Sequence, residues 1–169
     1  MKKAIIAILL VLSISAQAYA LDFKICGVKI EKSKPTWESV GKIALGMAGS
    51  ILVHEAGHLI TMEITGADYH WETVLSSRFS GVTPSEGQWI ARSGFLAQHG
   101  VNLALLKWKP ETDFTLGYTV TTSVITLTYP LRHDGDGDFD MIDRCGGSGD
   151  AEWALFSGLA VRNLFVIEW

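Results

Sequence analysis

His54-Glu55-Ala56-Gly57-His58 brings together residue types that can do chemistry as a set. In a helix, two histidines four positions apart lie on one face, one turn from each other. At that spacing both imidazoles can reach one metal ion. Zinc takes imidazole nitrogens at about 2.0–2.1 Å and is the usual occupant of the H-E-x-x-H pattern. Glu55 is rotated by about 100° from His54, as a helix requires. It therefore flanks the metal, where a carboxylate can take a proton from an activated water as a general base. The chain has only five histidines, so two of them around a glutamate inside the apolar run from Ile43 to Met62 is a specific signal. An unpaired glutamate would be costly to bury there, which argues that something at the site uses it.

A zinc site needs a third protein ligand, and an aspartate oxygen is an accepted one. The stretch from His133 to Gly149 is rich in glycine and aspartate: Asp134-Gly135-Asp136-Gly137-Asp138-Phe139-Asp140. It fails the calcium-binding EF-hand pattern. Counted from Asp134, position six is Phe139 instead of Gly and position twelve is Cys145 instead of Glu. As a source of one carboxylate ligand it remains open, and His99 is a competitor that would close the coordination sphere.

The elements that must hold these groups read as helices. Pro35-Thr36-Trp37-Glu38 has the look of a helix start, with Thr36 as cap. The first mature helix then runs from about Glu38 to Thr65 and stops before Gly66. On it Ser50, His54, His58, Thr61 and Thr65 form a polar stripe. Gly46, Gly49, Val53 and Gly57 form a neighbouring stripe of small residues, of the kind that lets a second helix approach closely. Ala67 to Gln88 reads as a long polar connection able to fold over the site. Trp89 to Trp108 reads as a second helix, about 28 Å long at 1.5 Å per residue, near the roughly 30 Å of a bilayer's hydrocarbon core. Arg92, Gln98, His99 and Asn102 fall within about a third of its wheel and should face the protein interior. Asp113 to Leu131 is rich in Thr and Val, which favour strands. Its length and lack of an internal turn signal decide for a third helix. Asp150 to Trp169 reads as an amphipathic closing helix.

Hydrophobic residues make up 48% of the 169 and charged residues 19%, a balance that leans toward a membrane protein or a very buried core. The net charge of −4 leaves no basic footprint for nucleic acid. Lys2 and Lys3, the apolar Ala4 to Ile14 and Ala18-Tyr19-Ala20 have the order of a secretory signal peptide over residues 1–20. Residues 21–169 then form a single exported domain, starting with a short strand or extended cover over Leu21 to Lys34. Cys26 and Cys145 are an even count, which permits a disulfide in an exported chain. The expected fold is mainly α: a membrane-embedded bundle of about three to four helices after the signal sequence.

With these pieces assembled, the chain resembles the site-2 protease family of membrane-embedded zinc metalloproteases. The resemblance rests on His54-Glu55-Ala56-Gly57-His58 within an apolar helix, on Ser93-Gly94-Phe95 leading to Asn102, and on Leu131-Arg132-His133-Asp134-Gly135 after Pro130. Together these cover roughly residues 40–140. The family's proline after glycine is replaced here by Phe95. The resemblance implies zinc held by His54, His58 and Asp134, with Asp136 and Asp138 as competitors, and Glu55 as the catalytic base. It implies cleavage of membrane-anchored protein substrates within or beside the bilayer. Arg92, His99 or Asn102 would then steady the developing oxyanion. The location that follows is the inner membrane of the cell envelope, with an extracytoplasmic N-terminus. Two other readings fit the same residues: a soluble periplasmic metallopeptidase, and a non-catalytic metal-binding membrane protein or envelope interaction module.

Overall fold

The computed structural model describes residues 36–73, 76–131 and 137–165. The signal segment 1–20, the cover 21–34, Cys26, Asp134 and Asp136 lie outside the described residues. The fold is mainly helical. Helix α1 (Trp37–Thr65) leads into a hairpin of β1 (Asp68–Thr73) and β2 (Ser76–Ser80). Then come α2 (Pro84–Trp108), α3 (Asp113–Thr128) with a 3-10 turn at Tyr129–Leu131, the short α4 (Asp138–Arg144) and α5 (Gly149–Phe165).

Local chemistry sets the ends of these helices. Thr36 caps α1 by accepting from the Ser39 amide at 3.1 Å, and Gly66 ends it in the left-handed region with φ 71°. Helix α2 begins five residues before Trp89, because Thr83 and Glu86 form a reciprocal capping box followed by Pro84. Thr112 caps α3 through the Thr115 amide. In the Thr- and Val-rich α3 the hydroxyls of Thr119, Thr122 and Thr126 have partners inside the bundle, so packing overrides strand propensity.

Two stretches differ from expectation. Within the polar connection, β1 and β2 pair antiparallel, with Asp68 opposite Ser80 and Tyr69 opposite Phe79. In sequence, Val74-Leu75 between them carries no glycine or asparagine, so the usual hairpin signal is missing. The acidic stretch also contains a helix, α4. Phe139 and Ile142, spaced three apart, turn one face of it into the core.

Helix α1 packs along both α2 and α3, α3 packs on α5, and α4 sits against α2 and α5. The stripe of small residues on α1 divides between two partners. A β-carbon at Gly46 would fall on the Phe114 carbonyl of α3, and one at Gly57 on the Ser93 carbonyl of α2. From the other side, a β-carbon at Gly117 would fall on the Ile43 carbonyl. These are backbone-to-backbone approaches, as found between helices packed through small residues.

The buried surface is unusually polar. Ser50, Gln98, Asn102, Thr122 and Thr126 are all completely buried. Ser50 Oγ lies 3.0 Å from Thr122 Oγ1, Gln98 Nε2 donates to Ser50 Oγ at 2.7 Å, and Thr119 Oγ1 donates to Asn102 Oδ1 at 2.7 Å. Large apolar side chains lie outside instead, among them Leu45, Leu52 and Ile60 on α1, Leu96 on α2, and Leu155 and Phe165 on α5. Helix α1 is the one described helix long and apolar enough to cross a membrane, by length and composition.

The α1–α3 crossing makes Gly117→Ala destabilising by about 1–3 kcal/mol through overpacking, read as a lower thermal midpoint. Gly41→Ala, with open space at its β-carbon, should be neutral or stabilising.

Candidate metal centre

Helix α1 delivers His54 and His58 to one face, and α2 shapes the space into which they project. The two Nε2 atoms lie 3.1 Å apart, with ring centroids at 4.7 Å and planes nearly perpendicular. Asp138, at the start of α4, closes the group: its Oδ2 is 3.2 Å from His54 Nε2 and its Oδ1 is 3.4 Å from His58 Nε2. These three residues can hold a metal ion. Among the described residues they are the only such group of His, Cys, Asp and Glu.

The hydrogen bonding around the group suits ligation. His58 Nδ1 lies 2.7 Å from the Ile90 carbonyl of α2. A carbonyl only accepts, so Nδ1 carries a proton, and Nε2 is the nitrogen left to ligate a metal. A ligating histidine is held in this way by its second nitrogen. His54 Nδ1 is buried without a partner, so its tautomer is set only by what occupies the Nε2 side. Burial alone would raise the Asp138 carboxyl. The facing His58 and His54 rings outweigh burial and hold it well below the usual carboxylate range. Asp138 is therefore anionic at neutral pH. Its side chain stays 25% exposed, so the group is open on that side. Glu55 is part-buried and interacts electrostatically with His54, His58 and Asp138, yet it is not one of the three ligand-bearing residues.

The second motif forms the floor of this site. A β-carbon at Gly94 would fall on the His58 ring and lie 2.9 Å from His54 Cε1. Phe95, fully buried, meets the His54 ring edge-on at 4.7 Å. It also stacks on Phe139 of α4, with centroids 4.7 Å apart. Ser93-Gly94-Phe95 thus clears room for both imidazoles, braces one of them, and links them to the helix that carries Asp138.

Of the three candidate ligands from the acidic stretch, Asp138 is the one found with the histidines; Asp134 and Asp136 lie outside the described residues. Sequence spacing did not single out Asp138. Its position follows from the burial of Phe139 and Ile142, a three-residue spacing that was available as a signal. His99 stands apart from the group: its Nε2 lies 3.1 Å from Thr126 Oγ1, and its ring stacks on Phe95 and Phe156. Asn102 bonds Thr119. Arg92 is engaged by Glu152 at 2.6 and 2.8 Å and by Gln88 at 2.8 Å, and lies over the Trp89 ring. Each of these three has a structural partner on a neighbouring element or turn. Cys145 has no disulfide partner among the described residues, and Cys26, its expected partner, lies outside them. Comparison with protein-family models, with curated proteins and with solved structures finds no match for this chain.

Gly94→Ala should lower divalent-metal affinity by about 10–100-fold, the usual cost of disturbing a ligand's support, as read by competition with a chromophoric chelator. Gly100→Ala on the same helix has open space at its β-carbon and should leave affinity unchanged.

Proposed function

We propose that this protein is a zinc-dependent endopeptidase of the cell envelope, held in a membrane and acting on membrane-associated proteins. The observation that carries this reading is the convergence of His54, His58 and Asp138 on one point beside Glu55. A tetrahedral ion with bonds of ~2.1 Å holds its donors about 3.4 Å apart. The two histidine Nε2 atoms, 3.1 Å apart, fall close to that value, and each has an Asp138 oxygen nearby: Oδ2 at 3.2 Å from His54 and Oδ1 at 3.4 Å from His58. Two imidazoles and one carboxylate are a familiar donor set for a catalytic zinc, and three protein ligands leave a fourth position for water or substrate.

In this mechanism His54, His58 and Asp138 would hold a zinc ion, which would supply Lewis-acid activation of water at neutral pH. Glu55 takes the proton from the attacking water and hands it to the departing amine nitrogen. Ile90 and Gly94 keep the His58 ring in its ligating orientation. The exposed edge at Asp138 is the side from which a peptide can enter.

The membrane placement rests on the polarity of the bundle. Beside an apolar cluster around Phe95, its interior carries Ser, Thr, Gln, Asn and His, and its exterior carries Leu, Ile and Phe. A water-soluble helical protein distributes these the other way. In a bilayer the outward apolar side chains meet lipid, while inward polar groups bond one another across helices.

Purified protein should contain about one zinc per chain, and His58→Ala should lose it. Glu55→Gln should keep the zinc and lose about 10²–10⁴-fold in proteolytic rate. Full proteolysis by a zinc-loaded Glu55→Gln protein would sink the mechanism. The protein should stay with membranes through carbonate extraction, and full release would remove the membrane placement.

A further inference from the structure

The third ligand sits on an element that cannot hold itself. Helix α4 has seven residues, well below the length at which an isolated helix persists in water. Its apolar face is fixed by Phe139 and Ile142 in the cluster with Ala91 and Phe95. Its far end is fixed by something different. Gln88 Nε2 donates to the Cys145 carbonyl at 2.8 Å, which satisfies an acceptor that the end of a helix leaves open. Gln88 Oε1 accepts in turn from Arg92 Nη2 at 2.8 Å, and Arg92 Nε donates to both Glu152 oxygens at 2.6 and 2.8 Å.

The direction of this chain is dictated by chemistry. Arginine can only donate, so the Gln88 carbonyl oxygen must face it. That choice turns the Gln88 amide nitrogen toward Cys145. Glu152, in the first turn of α5, holds the guanidinium in place through a charge-assisted fork. The pair is part-buried and linked to a further acceptor, so it is more than a solvated surface contact.

We propose that Glu152, Arg92 and Gln88 are positioning residues for the metal site: they lock the end of α4 and so set the place of Asp138 against His54 and His58. This rests on the reading that the His54–His58–Asp138 group binds zinc. Arg92, which spacing alone suggested as an oxyanion partner, acts at a distance through the ligand-bearing helix.

The test combines two readouts on the full chain in detergent. The first is zinc affinity by chelator competition. The second is hydrogen exchange of the amides of residues 139–145 in metal-free protein. Arg92→Leu should weaken zinc binding by about 10–100-fold and speed exchange over 139–145 by about tenfold or more, with exchange in α1 unchanged. Gln88→Ala, a milder variant that leaves the Arg92–Glu152 pair intact, should move both readouts the same way by less. Arg92→Lys keeps a charge for Glu152 without the fork to Gln88 and should fall between. A zinc-binding wild type whose variants all stay within about twofold in both readouts overturns the proposal alone. A wild type that takes up no zinc overturns the metal reading and, with it, the positioning role.

Discussion

Gly57 on α1 and Gly94 on α2 bring two helices closer together than ordinary side chains allow, and the His54–His58–Asp138 group depends on that closeness. At Gly57 the bare backbone of α1 meets the Ser93 carbonyl. One residue further on, Gly94 leaves the space that the His54 and His58 rings fill. Only because the backbones are this near can the Ile90 carbonyl reach His58 Nδ1. Glycine costs helix stability, about 1 kcal/mol against alanine in each interior position. That cost is offset by packing and hydrogen bonds that no larger residue would permit.

Buried polar groups join the helices of the bundle. Ser50, Gln98 and Thr122 join three helices through side-chain hydrogen bonds. Asn102 and Thr119 add a second such joint. Buried polar groups are tolerable only when bonded, so these residues fix the relative rotation of the helices. A slip of α2 about its axis would strand several of them at once. The same rotation aims Gly94 and Phe95 at the histidines. Metal site and polar interior are therefore two consequences of one helix orientation.

Phe95 ties the rest together. It contacts His54, His99, Tyr129, Phe139 and Phe156 through ring packing. These partners come from α1, α2, the turn after α3, α4 and α5. A large rigid ring at the meeting point of the elements contributes burial and also orients its neighbours edge-on or stacked. In the site-2 protease family pattern a proline stands at this position. Here the position supplies a wall for the site and an anchor for the helix that bears Asp138.

Much of the scaffold was legible from residue order. Cap chemistry at Thr36 and Gly66 fixed the ends of α1, and helical periodicity placed His54 and His58 together with Glu55 to one side. Those are local properties, set by neighbours within a turn or two. The start of α2 lies upstream of the expected Trp89 because Thr83 and Glu86 form a capping box, and the pairing of β1 with β2 has no sequence signal because Val74-Leu75 contains no glycine or asparagine. The identity of the third ligand was not legible. Three aspartates alternate with glycines, and choosing among them requires knowing that Phe139 and Ile142 are buried against Ala91 and Phe95. Nor could spacing tell that Arg92 pairs with Glu152, sixty residues away. By itself the sequence determined the helices and the paired histidines, because those follow from short-range geometry. The tertiary structure alone brought the Asp138 carboxylate to them, because that depends on contacts between helices far apart in the chain.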